Sequence, residues 1–128
     1  MDNKGVIIRQ SSYGVKDTID RLENALKQKN ITIYARIDQQ AEALKGGIKL
    51  PALEFLLFGN PAGGGFVMEF DPKAALDLPL KVIAWDDDQN KTWVAYNDPA
   101  YIQARYGLSN QLTALLDIDP VVTTVLKH

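Results

Sequence analysis

Over the first forty residues, hydrophobic positions alternate, recur at helical spacing, and alternate again. Val6 to Ser11 sets Val6, Ile8 and Gln10 on one face and Ile7, Arg9 and Ser11 on the other, the period-two pattern of a short strand. Val15, Ile19, Leu22 and Leu26 then form one apolar stripe with charged flanks, which predicts a helix through VKDTIDRLENALKQKN. Gly14 is its expected N-cap, Asp17 faces its free amides, Lys27 and Lys29 suit its C-terminal end, and Asn30 takes the left-handed closing position. Ile31 to Asp38 alternates again, with Ile31, Ile33, Ala35 and Ile37 on one face and Thr32, Tyr34, Arg36 and Asp38 on the other, as in a half-buried antiparallel strand. Asp38 is then read as the cap of a short helix, Gln39 to Lys45, closed by Gly46-Gly47.

The stretch LPALEFLLFGNP, from Leu50 to Pro61, carries the longest apolar run. Leu53, Phe55 and Leu57 face one way and Glu54, Leu56 and Phe58 the other, so both faces are largely apolar and an inner strand is predicted. Asn60 is pushed toward extended geometry by Pro61, and Gly63-Gly64-Gly65 reads as a flexible link. Phe66 to Phe70 is read as helical. Asp-Pro pairs at Asp71-Pro72, Asp98-Pro99 and Asp119-Pro120 mark three helix starts, and Gly107 with Leu108 closes the middle one. Leu80 to Asp86 and Lys91 to Tyr96 form a hairpin around an acidic turn, Asp87 to Asn90. The order predicts one α+β domain over residues 1–128: about five mostly antiparallel strands with helices packed on one face.

Composition narrows the chemistry. Cysteine is absent and the only histidine is the terminal His128, which removes thiolate nucleophiles, Cys-ligated metals and most histidine catalysis. Residues 1–64 hold nine Lys/Arg and seven Asp/Glu, and residues 65–128 hold five and nine. That balance argues against a nucleic-acid partner, which calls for a strongly basic face. No run approaches the ~20 apolar residues of a membrane span, and the start lacks a secretory apolar region, so the expected address is cytoplasmic, without a membrane partner.

Asp38, Gln39, Asn60, Asp77 and Tyr96 all fall at or just past strand ends, where loops can gather polar groups around a small molecule or anion. Their structural alternative is local: Asp38 as a helix cap, Asn60 as a turn residue, Asp77 as a cap or brace. The tri-glycine could lend amides to an anion, although the rest of a phosphate-binding fingerprint is missing. If the Ile-rich strand faces pack on the helices, the opposite face carries Ile7, Arg9, Tyr34 and Arg36, with Lys81, Ile83 and Trp85 as further candidates. Ile7, Arg9, Tyr34, Arg36 and Trp85 are then the expected homodimer interface. Asp86-Asp87-Asp88 is read as a solvated turn, and neither a metal nor a cofactor is expected.

These features favour a non-catalytic, homodimeric binding or regulatory module. The alternatives are an enzyme using Asp38 or Glu54 as base with Asn60 as a polarising donor, and a purely structural dimer.

Asp38 in RID, Phe58-Gly59-Asn60-Pro61, Asp77-Leu78-Pro79-Leu80 and Tyr96-Asn97-Asp98-Pro99 resemble, in order and spacing, a widespread bacterial family named only as domain of unknown function 302. The likeness runs over roughly residues 6–127. It implies a fold similar to that of the TATA-box-binding protein, β-α-β(4)-α in outline, and commonly a homodimer. It assigns no activity. Where members of that family often read Asp-His, this chain has Asp38-Gln39, which weakens any family-wide histidine base or ligand. Where they often read Gly-Thr-Pro, it has Gly64-Gly65-Phe66.

Overall fold

Val15, Ile19, Leu22 and Leu26 are all buried along α1 (Val15–Gln28), and this one stripe sets the layer order of the molecule. It lies on a sheet of five antiparallel strands: β1 (Val6–Ser11), β2 (Thr32–Asp38), β3 (Leu53–Gly59), β4 (Leu80–Asp86) and β5 (Thr92–Asn97), in spatial order β1-β5-β4-β3-β2. The remaining helices are α2 (Gln39–Lys45), α3 (Pro61–Phe70), α4 (Pro99–Tyr106), α5 (Asn110–Ala114) and α6 (Asp119–Leu126), with a 3-10 turn over Pro72–Leu76. The computed structural model describes residues 4–127; the start Met1-Asp2-Asn3 and the single histidine, His128, lie outside the described residues.

Leu56 and Phe58 of β3, Val82 and Ala84 of β4, and Val94 and Tyr96 of β5 point at α1, and Val122 and Leu126 of α6 complete that core. A smaller cluster of Val67, Ala74, Ile102, Leu108 and Leu116 continues it past the start of β4, where Leu80 touches both. This is the predicted α+β architecture, with α1 and α6 on one face of the sheet.

The face assignment of two strands differs from the expectation. Across β2 and β3, Ile33 stands opposite Phe58 but Ala35 stands opposite Leu57, so Tyr34 is an extra residue in β2. Such a bulge inverts the alternation beyond it. Ile33 therefore faces the helices while Ala35 and Ile37 face away, and Arg36 turns in toward α1. In β1 the inward face is Ile7, Arg9 and Ser11. The Ser11 and Thr18 hydroxyls share a hydrogen bond of 2.7 Å, and Arg9 donates to Asp119 at 2.9 Å. Of the expected interface set, Ile7, Arg9 and Arg36 thus lie on the helix side. Trp85 lies on the opposite face, and Tyr34 sits in the bulge at the end of the sheet.

The cap signals were mostly used as read. Asp38 accepts from the Ala41 amide at 2.9 Å, Asp71 from Lys73 at 3.0 Å and Asp98 from Ala100 at 2.9 Å. Gly107 is left-handed, and Leu108 beyond it is buried. Asp119 is the exception, because its side chain does not cap α6 and serves Tyr96 and Arg9 instead. Asn60 caps α3 through Ala62 and Gly63 at 3.0 and 3.2 Å, so the tri-glycine lies inside this helix and is not a link. Asp87 organises its turn by accepting from the Gln89 and Lys91 amides and from Trp93 Nε1. No group of acidic or histidine side chains among the described residues has metal-site geometry, and no described helix is long and apolar enough to cross a membrane.

Candidate functional site

Where β3 ends and α3 begins, the chain leaves a groove of about 330 Å³, within the range of small-molecule sites. Pro61 and Met68 of α3, Leu78-Pro79-Leu80 entering β4, and Leu115 and Leu116 after α5 supply its apolar walls. Tyr34 and Asn60 add polar groups at its mouth. Tyr34 arrives there because of the β2 bulge, and its ring passes beside Gly59, where a Cβ would meet Cε2 at 3.6 Å.

The glycines of α3 are not equivalent. A Cβ on Gly63 would stand 3.7 Å from Leu115 Cβ, so that residue seats α3 against α5. A Cβ on Gly64 would meet only Leu78 Cδ1 and Met68 Cε, both at 4.0 Å and both groove walls. Packing leaves room for alanine at Gly64, and glycine in a helix costs about 1 kcal/mol relative to it. What the bare position leaves is open space in the groove.

An amide count removes the anion reading of this helix start. Pro61 has no N–H, the Ala62 and Gly63 amides go to Asn60 Oδ1, and the Gly64 amide goes to the Asn60 carbonyl at 2.8 Å. None is left over for a phosphate.

The five residues expected to converge do not. Asn60 lines the groove. Asp38 and Gln39 lie at the other end of the sheet, because Asp38 pairs with Glu54 at the start of β3. Asp38 there caps α2, and Gln39 is its first residue. Asp77 accepts from Arg105 Nη1 at 3.0 Å and from the Tyr106 hydroxyl at 2.5 Å, tying the wall pair Leu78-Pro79 to α4. Tyr96 points to the helix side, where its hydroxyl donates to Asp119. Burial and that hydrogen bond push the Tyr96 hydroxyl up to about 12, and the same bond, with Arg9, holds Asp119 below the usual carboxylate range. This trio joins β1, β5 and α6 and has no proton to exchange near neutrality.

The acid–base arrangement of Asp38, Glu54 and Asn60 fails on distance. Glu54 and Asn60 are six residues apart along an extended strand, on the order of 20 Å. Glu54 is instead held by Arg36 at 3.0 Å. The groove walls Met68, Leu78 and Leu115 escaped sequence reading. Asn60, Gly64 and Met68 stand four apart, which would have put them on one helix face had the helix been started at Pro61.

The model of the family described as domain of unknown function DUF302 matches residues 7–124. A crystal structure of an uncharacterised conserved DUF302 protein from Bacillus stearothermophilus is similar at a TM-score of 0.79 and 19% identity, over 95% of each chain, a likeness of fold. A fluoride-specific ion channel FluC 1 of Brucella suis biovar 1 is 33% identical over 129 residues, covering 98% of this chain and 50% of that protein. A FluC 1 of Brucella abortus biovar 1 matches at the same identity over 98% and 47%. The chain therefore spans about half the length of these relatives, and the channel activity is named for them.

Proposed function

We propose that this chain, which belongs to the DUF302 family, is a non-catalytic binding module that works as a homodimer. Two copies pack through the sheet faces turned away from α1, and each keeps a small-molecule groove where β3 meets α3. The observation that carries this reading is the apolar character of that outer face. The strand registers place Ile8, Ala95, Ile83 and Phe55 in one row across β1, β5, β4 and β3, with Trp93 and Trp85 paired in the next. Val6 and Ile8 remain 38% and 42% exposed. Lys81 is the one charged side chain among the strand positions on this face, and it lies over the Phe55 ring at 4.5 Å.

Aromatic enrichment with little charge is the composition of an interface centre. Five strands about 4.8 Å apart, each about six residues long, give a footprint on the order of 500 Å². A pair of such faces buries about 1,000 Å² in total, the minimum for a biological interface and the size of a weak, concentration-dependent association. The non-catalytic part is supported by the fate of the carboxylates, with Asp38 committed to a helix cap and Glu54 to Arg36.

Ile83→Asp tests the interface, since a carboxylate in the middle of the face would be desolvated without a partner. Light scattering should give twice 14.2 kDa for the unmodified chain and 14.2 kDa for the variant. A variant that keeps its circular dichroism and the mass of the unmodified chain rejects this face.

A further inference from the structure

We infer that the groove at the β3–α3 junction takes a neutral, largely apolar small molecule with one hydrogen-bond acceptor. This rests on the ligand-binding half of the proposal above and is independent of the dimer. Among the described residues no Lys, Arg, Asp, Glu or His lines the groove, and the first amides of α3 are all engaged. An ion entering it would lose water without gaining a counter-charge or a free backbone N–H of α3, which is strongly unfavourable. The apolar body is set by Pro61, Met68, Leu78, Leu80 and Leu115, with Met68 able to adapt to shape. The polar group is set at the mouth. Asn60 spends Oδ1 on the α3 cap, which leaves its Nδ2 as a donor, and the Tyr34 hydroxyl makes no hydrogen bond among the described residues.

Gly64 supplies the test, because leucine there would project between Leu78 and Met68 while being the better helix former. The probes are N-phenyl-1-naphthylamine, which is neutral, and 8-anilinonaphthalene-1-sulfonate, the same ring system with a negative charge. The neutral probe should saturate at one per chain and raise the melting temperature. The sulfonate should bind about tenfold or more weakly, through its desolvation cost. Gly64→Leu should lose neutral-probe binding without a lower melting temperature, and Gly64→Ala should weaken it less and serves if the leucine variant does not fold.

Sulfonate binding as tight as the neutral probe and equally sensitive to Gly64 would overturn the neutral class and leave the groove as a site. Neutral-probe binding that survives both Gly64 variants but falls with Ile83→Asp would place the dye on the sheet face and overturn the groove. Binding of neither probe would overturn this inference together with the ligand half of the proposed function.

Discussion

Phe58→Ala is expected to destabilise the chain by about 3–5 kcal/mol, the range for truncating a fully buried phenylalanine. Phe58 is 0% exposed, packs with the α1 stripe, and stands between Ile33 of β2 and Leu80 of β4. Phe55, three residues earlier on the same strand, is 7% exposed but points to the other face. Lys81 lies over its ring there at 4.5 Å, and Phe55 is not part of the core that packs on the α1 stripe. Phe55→Ala should therefore cost much less in the isolated chain and should weaken self-association instead. Urea denaturation followed at high and low protein concentration separates the two. Equal losses for both variants, independent of concentration, would mean that the two faces are buried alike.

Arg36→Ala is expected to cost about 1–3 kcal/mol near neutral pH, less than a fully buried pair because the site is partly open to water. Arg36 donates to Glu54 at 3.0 Å, to Asp20 at 2.6 Å and to Glu23 at 3.2 Å, and its removal leaves three carboxylates facing one another at the edge of the core. The effect depends on pH. The Arg36 hydrogen bond holds Asp20 below the usual carboxylate range, and Lys27, joined by Arg36, does the same for Glu23. Groups with a depressed folded-state pKa contribute stability above their unfolded value, about 4, and lose it as pH falls through the folded value. The gap between unmodified and variant chains should therefore be widest near pH 7 and close below about pH 4. A gap that is constant down to pH 3 would show that Arg36 acts by packing alone.

Much of this architecture is legible in the sequence, because single residues act locally. The α1 stripe, the Asp38 and Asp98 caps and the Gly107 closure each depend on neighbours within a turn or two. The failures are nonlocal. The bulge at Tyr34 is hidden because Ile33 and Ala35 are both apolar, so alternation looks continuous while the faces exchange. The same inversion turns Arg36 from the expected outer face to the helix side, where Asp20, Glu23 and Glu54 receive it. β1 carries isoleucine on both faces, and the face that goes in is marked by long-range partners, the Ser11–Thr18 bond and the Asp119 contact of Arg9. The candidate site was half legible. Its location at Gly59-Asn60-Pro61 follows from a strand end fixed by proline. The gathering of Asp38 with Asn60 is excluded by antiparallel pairing, which sends neighbouring strand ends to opposite edges. α5 leaves no trace in the hydrophobic pattern because its five residues are too few for a helical period.

The two tryptophans of the chain, Trp85 and Trp93, are cross-strand neighbours on the outer face, so they report on that face without a label. Acrylamide quenching of their emission in the unmodified chain and in Ile83→Asp, each across a range of protein concentrations, tests the homodimer most directly. The account predicts weak quenching in the unmodified chain, rising on dilution toward the level of the variant, and strong quenching at every concentration in the variant. Equal quenching of the two chains, unaffected by dilution, would contradict it.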